Sequence, residues 1–310
     1  MLVVAGKGGV GKTTVTAALA RASADLGLRV LVVSLDERSQ LHRLLGGSDR
    51  SGGSYEPVRV ASGLGPGRRG TIDIRTITAA DALQDYLATQ GLAAIAKRLV
   101  STGVVGVVSN AAPGIDDLLV LGKLKHLVGL AGPDGPHDLI VLDGPAAGHA
   151  VSFLESPSAM ATTVRGGPIR SQAIEVDTML RDPDRCRVVL VTIPETTPVS
   201  ELIETRALLE RVAGVSFAPV VLNGFDSAPE IDDVMTRQSA GDPTIDDALR
   251  AAAQYRRDRC ALHADAMRVL VESCGDDVIT LPHGPSVDRT SKGFRRLVAA
   301  FADHTSDGDR

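Results

Sequence analysis

The sequence predicts an α/β fold: one doubly wound, mostly parallel sheet with an inserted helical subdomain. Three observations carry that prediction. The first 34 residues read strand, glycine-rich turn, helix, glycine, strand, a βαβ unit of the kind that crosses over right-handed in parallel sheets. Further apolar runs of strand length then alternate with helical stretches. The chain is also 44% apolar but only 3% aromatic, with no Trp, so its 310 residues can bury a sizeable core made of Ala, Val and Leu.

Residues 1–5 form the first buried strand, ending at the glycine-rich run 6–11. Residues 13–26, rich in Ala and Leu, are helical and stop at Gly27. Residues 29–34 (RVLVVS) are continuously apolar, as expected of a parallel strand covered on both faces. Strand candidates follow at 57–61, 71–76, 138–143, 187–193, 218–223 and 278–281. The interval 46–70, rich in Gly, Ser and Arg, reads as an exposed loop around a short strand. Residues 79–132 and 156–181 show helical patterns without a strand and flank the strand that ends at Asp143. The expected organisation is one domain over residues 1–310, its helical subdomain inserted at the carboxyl edge of the sheet, where open α/β sheets place ligands. The polar tail from Asp303 is expected to fray.

Composition excludes several function classes. With 33 basic and 38 acidic residues the formal charge is −5, which argues against broad electrostatic binding to nucleic acid or anionic membrane. No run approaches the roughly 18–20 apolar residues that span a bilayer, and no basic segment followed by a long apolar one opens the chain. Three cysteines suit a reducing compartment, so a cytoplasmic location is expected.

Gly6-Lys7-Gly8-Gly9-Val10-Gly11-Lys12-Thr13 fits G-x-x-x-x-G-K-[ST] and stands between a strand and a helix, the setting that pattern requires. The glycines let successive backbone N–H groups turn inward on phosphate oxygens. Lys12 brings charge to the β/γ-phosphates, and the Thr13 hydroxyl suits Mg²⁺. ATP or ADP with Mg²⁺ is the implied cofactor, and the fold expected is that of a P-loop NTPase. Leu139-Ile140-Val141-Leu142-Asp143 is four apolar residues and an acid, the form of a strand whose terminal carboxylate holds the Mg²⁺ hydration shell. Alone it is an ordinary strand end; the phosphate loop favours the metal role.

Lys7 is surplus to holding phosphate, since Lys12 already does so. The run from Lys7 through Thr14 resembles the deviant Walker A of the MinD, ParA and arsenite-pump class of ATPases. That resemblance implies face-to-face dimers in which Lys7 enters the partner's nucleotide site. The segment from Asp143 to Leu154 resembles switch II of the ArsA family, D-T-A-P-T-G-H-T. Asp143, Gly148 and His149 match, the proline falls one place early, and both threonine positions carry Gly or Ala. Further similarity runs through Ala112-Pro113-Gly114, Val191-Thr192-Ile193-Pro194-Glu195, Val220-Val221-Leu222-Asn223 and Leu281-Pro282, so it covers most of the chain. Gly166-Gly167-Pro168 and Gly122-Lys123-Leu124-Lys125 are similar to the actinobacterial anion-transporter ATPases of that family, which often occur as paired paralogues.

The resemblance implies an ATPase that works as a homodimer, or as a heterodimer with a paralogue. Its closure would engage a client protein or a peripheral membrane partner, with Lys7, Lys12, Asp36 and Asp143 as its catalytic set. It also implies that Asn223 meets the adenine edge, that Glu195 lies near the nucleoside across the dimer, and that the Pro282 loop packs on the base. Read without it, Asn223 is equally a strand-end cap and Glu195 an acid placed at a helix N-terminus.

Some positions depart from the family pattern. Switch I, S-T-D-P-A-H-S-L-S-D, laid on residues 34–43 puts its first acid on Asp36, which can serve water on Mg²⁺. Its second acid, which positions the attacking water in hydrolysing members, falls on Arg43. Losing a water-orienting group costs about 10²–10⁴-fold in rate, so slow hydrolysis is expected. A misaligned switch served by Asp36 or Glu37 is the alternative. A non-hydrolysing, ATP-holding scaffold beside an active paralogue is the second functional reading. Arsenite needs converging thiolates, yet no cysteine precedes Cys186, and the C-x-x-C that clamps tail-anchor-targeting dimers is absent. Cys260 and His263 share a helix face, but Cys274 and His283 lack ligand spacing. Leu118, Leu119, Val120, Leu121, Leu124, Leu127 and Val128 form a stripe that reads as core rather than client groove.

Overall fold

The structure, a computed structural model, describes residues 1–47, 54–89, 114–227, 243–275, 277–283 and 292–307. The strands are β1 (Leu2–Gly6), β2 (Arg29–Ser34), β3 (Val58–Leu64), β4 (Gly70–Thr76), β5 (Leu139–Ala146), β6 (Arg187–Thr192), β7 (Ser216–Phe217), β8 (Val220–Phe225) and β9 (Val278–Pro282). The helices are α1 (Lys12–Asp25), α2 (Leu41–Leu45), α3 (Ala79–Thr89), α4 (Ile115–Leu130), α5 (Ala147–Thr163), α6 (Pro168–Arg181), α7 (Thr196–Val212), α8 (Pro243–Cys274) and α9 (Lys292–Asp307).

All nine strands of the described residues join one sheet, in the order β3-β4-β2-β5-β1-β6-β8-β9 with β7 beside β6. Every pairing is parallel except β3 with β4. This is the doubly wound, mostly parallel α/β sheet that the apolar runs predict. Because side chains alternate across a strand, Val3 and Ala5 enter the core on one face while Val4 enters the core on the other. Helices α1, α2 and α9 cover the second face through residues such as Val15, Leu41 and Phe294. The first face receives Leu118, Phe153, Met179, Leu202 and Leu270, from α4 through α8. Leu118, Val120, Leu121 and Leu124 of the apolar stripe are buried there.

Several boundaries differ from the sequence expectations. The second helical stretch begins at Ala147 rather than 156 and is two helices, α5 and α6, parted at Gly166-Gly167. Helices α3 to α6 share one core with the sheet face. The strand expected at 57–61 is the seven-residue antiparallel edge β3. The last helix runs on to Asp307, past the point at Asp303 where fraying was expected.

Candidate nucleotide site

The phosphate loop leaves β1, which lies between β5 and β6. A Cβ at Gly6 would stand 2.3 Å from the Val191 carbonyl oxygen of β6, so only glycine lets the loop depart this close to its neighbour. Gly11 has φ of +88°, and a Cβ there would meet the Asn223 amide at 2.5 Å. Between these glycines Val10 is buried, while Gly8 and Gly9 are exposed. Helix α1 then starts at Lys12 with no side-chain cap and no acid in its first turn, followed by Thr13 and Thr14. Its N-terminal N–H groups and positive dipole end are thus left for an anion. Lys12 Nζ donates to the Lys7 carbonyl at 3.2 Å. Burial lowers the Lys12 pKa, and the Asp143 carboxylate opposes that shift.

Register brings the acid to the loop. Asp143 of β5 is level with Val4 of β1 and Ser34 of β2. Its two carboxyl oxygens accept hydrogen bonds from Thr13 Oγ1 at 2.8 Å and Thr16 Oγ1 at 3.2 Å. Burial raises the Asp143 pKa above the usual carboxylate range; the hydroxyls and Lys12 pull it back, and the nearby Asp36 charge raises it further. A hydroxyl and two carboxylates are hard oxygen donors, and two mutually repelling acids beside a phosphate-type loop suit Mg²⁺. The residues present therefore fit the metal. Thr16 was not singled out from sequence, although it stands one helical turn after Thr13 and so faces the same acid.

The remaining predicted residues are placed less uniformly. Asn223, near the end of β8, donates Nδ2–H to the Val10 carbonyl at 2.8 Å, so it reaches the loop itself. Glu195 is the exposed N-cap residue of α7 and makes no side-chain cap bond. Pro282 ends β9 opposite Phe225, and the chain from 284 to 291 lies outside the described residues, as do Ala112 and Pro113. Asp36 is exposed and accepts from the Arg38 N–H at 2.9 Å. Arg43 is exposed on α2 and donates to Gln40. Lys7 Nζ bonds Glu201 Oε1 of α7 at 2.7 Å. That pair stands in a cleft of about 620 Å³ that Gly148, Glu155 and Glu204 also line.

Two partners could not be foreseen from spacing: Glu201 for Lys7, and Asp117 for His149. His149 of α5 lies 3.7 Å from Asp117 in the first turn of α4, whose pKa is raised by burial. The segment after Asp143 thus touches the helices on the sheet's first face.

The sequence model of a family described as anion-transporting ATPase matches residues 1–166, more than half of the chain. The chain belongs to the anion-transporting ATPase family. ATPase BagA of Mycobacterium tuberculosis is 33% identical over 207 residues, which cover 65% of this chain and 58% of that protein. An arsenical pump-driving ATPase of Acidiphilium multivorum is 29% identical over 222 residues, 69% of this chain and 33% of that protein. An arsenical pump-driving ATPase of Escherichia coli is 28% identical over 245 residues, 74% and 40% respectively. The chain thus matches less than two thirds of the length of each of these family members. The matched family region, 1–166, holds the phosphate loop, Asp36 and Asp143 but neither Glu195 nor Asn223. No described helix is long and apolar enough to cross a membrane.

Proposed function

We propose that this chain is a Mg²⁺-dependent ATPase that closes as a nucleotide-switched dimer and turns ATP over slowly. The observation that carries the reading is the contact of Thr13 with Asp143 behind a glycine loop whose helix has an open N-terminus. Lys12 exchanges the Lys7 carbonyl for phosphate, and the α1 N–H groups hold the phosphate oxygens. Bound Mg²⁺ supplies positive charge to the phosphates. Thr13, Asp143 and Asp36 would hold it, and its charge would favour the ionised form of Asp143.

Lys7 serves the partner's nucleotide in this reading, so its ammonium must leave Glu201. The side chains of that pair are 42% and 40% exposed, and such exposed pairs are easily exchanged. The contact of His149 with Asp117 offers a route from the Mg²⁺ acid to α4, the helix through which closure would engage a client protein or peripheral membrane partner. Metalloid handling, the role that the names of two relatives state, has little support here. Cys186 is buried beside β6, with its thiol pushed up to about 11. Cys260 and Cys274 stand fourteen residues apart on α8, about 21 Å along the axis.

Phosphate release from MgATP by the full chain, beside Lys12→Ala, tests the proposal. Release that is measurable, slow and dependent on Lys12 is expected; no release, or release unchanged in Lys12→Ala, overturns it. One feature of the sequence supports a second reading: laid on the family's switch I, residues 34–43 put Arg43 where the resemblance implies a water-positioning acid. In that reading the chain holds ATP without hydrolysing it and pairs with an active paralogue. Turnover that appears only when a paralogue is added would select it.

A further inference from the structure

Thr16 stands in α1 one turn after Thr13, and both hydroxyls meet Asp143. Val141 enters the core on the sheet face that α1 covers, and Asp143, two residues on along β5, points to that same face. Thr13 is partly buried in the first turn of α1, whereas Thr16 is 0% exposed.

A threonine inside a helix commonly directs its hydroxyl proton to a carbonyl of the preceding turn. Thr163, Thr178 and Thr205 do so here, each donating to the carbonyl four residues earlier at 2.7–2.8 Å. Thr16 turns its proton out of the helix instead, to Asp143 Oδ1 at 3.2 Å. Thr13 donates to the other oxygen, Oδ2, at 2.8 Å. The two hydroxyls are not equivalent, because in the proposed function Thr13 serves the metal as well as the acid. A carboxylate held at one oxygen alone turns readily about its last bond. The Lys12 ammonium, whose charge already acts on Asp143, would then draw it away. At a fully buried position no water stands ready to replace the Thr16 hydroxyl.

We propose that Thr16 is a positioning residue for the Mg²⁺ site, its hydroxyl fixing Oδ1 of Asp143 so that Oδ2, beside Thr13, is left for the metal. This rests on the reading of Asp143 as the acid that holds Mg²⁺.

Binding of a fluorescent ADP analogue by the full chain, titrated with Mg²⁺ and repeated in a chelator, tests it. Mg²⁺ is expected to tighten binding by the unaltered protein. Thr16→Val keeps the shape of the side chain and removes the donor. It should raise the Mg²⁺ concentration that gives half of the effect about tenfold, the scale on which groups that orient metal ligands act. Affinity in the chelator should stay within about twofold, since the metal-free nucleotide does not use Asp143. Thr16→Ser restores a donor and should return the Mg²⁺ requirement to that of the unaltered protein. Thr16→Ala should act as Thr16→Val does, and it decides the matter if the Val variant does not fold. The proposal is overturned if both variants need no more Mg²⁺ than the unaltered protein, if they weaken binding equally with and without Mg²⁺, or if Thr16→Ser restores nothing. Asp143→Asn separates the two ways of failing. If it raises the Mg²⁺ requirement and Thr16→Val does not, the metal role of Asp143 stands and that of Thr16 falls. If Mg²⁺ changes nothing in the unaltered protein, both fall.

Discussion

After β2 and after β5 the chain leaves the same edge of the sheet, from strands that are direct neighbours, yet the two segments are held differently. Behind β5, Asp143 is tied to two threonines of α1, and His149 six residues on meets Asp117 of α4. Behind β2, the bonds are local: Ser34 with Asp36, Asp36 with Arg38 and Ser39, Gln40 with Arg43. Asp36, Glu37 and Arg38 are exposed, and the chain is buried again at Leu41, His42, Leu44 and Leu45. One segment is preplaced and the other hangs between two anchors. In the proposed reading the acid that would face the metal needs no reorganisation, while the segment that would orient water does.

The largest expected effect breaks the pinned side. Asp143→Asn should lower phosphate release by about 10²–10³-fold while raising Tm, because burial disfavours the charge it removes. A loss below tenfold would mean that another acid serves the metal. Next comes the loose side: Arg43→Asp should speed phosphate release about tenfold, with Arg43→Ala unchanged. Equal rates in all three proteins would move the water-orienting role to another residue, Asp36 or Glu37.

The Asp143 carboxylate gives a further test on the pinned side, with a smaller effect. Asp143 is held above the ordinary carboxylate pKa of about 4, so Mg²⁺-dependent nucleotide affinity should start to fall at a higher pH than an ordinary carboxylate gives. Its effect on folding has the opposite sign. The native state binds that proton more tightly than the unfolded chain, so this contribution to stability is complete at low pH and lost as pH rises through the raised pKa. Calorimetric titrations across pH, with Asp143→Asn as the flat control, check both signs. Smallest is Asp117→Asn, which should add a few tenths of a kcal/mol at pH 8 and nothing below pH 4, read by urea unfolding.

The central strands were legible because burial on both faces writes an unbroken apolar run, as in RVLVVS at Arg29–Ser34. The phosphate loop was legible because glycine spacing records a backbone requirement, seen at Gly6 and Gly11. The partners were not. Lys7 meets Glu201 across 194 positions, and nothing near either residue announces the other. Edge strand β3 faces solvent along much of its length, and the two-residue β7 is too short to carry a pattern. Polarity past Asp303 suggests fraying, yet helix α9 runs on to Asp307 and buries Phe294, Leu297 and Phe301 earlier in its length.

Strand β5 ends at Ala146 and helix α5 begins at Ala147, with no residue between them. Mechanically, that is a joint without slack. Seventeen residues make a rod of about 25 Å, so a tilt of about 5° at the Asp143 end moves the Thr163 end by about 2 Å. In the proposed switch, a displacement too small to break a hydrogen bond at the β5 end would reach the far end of α5 as a step in side-chain packing.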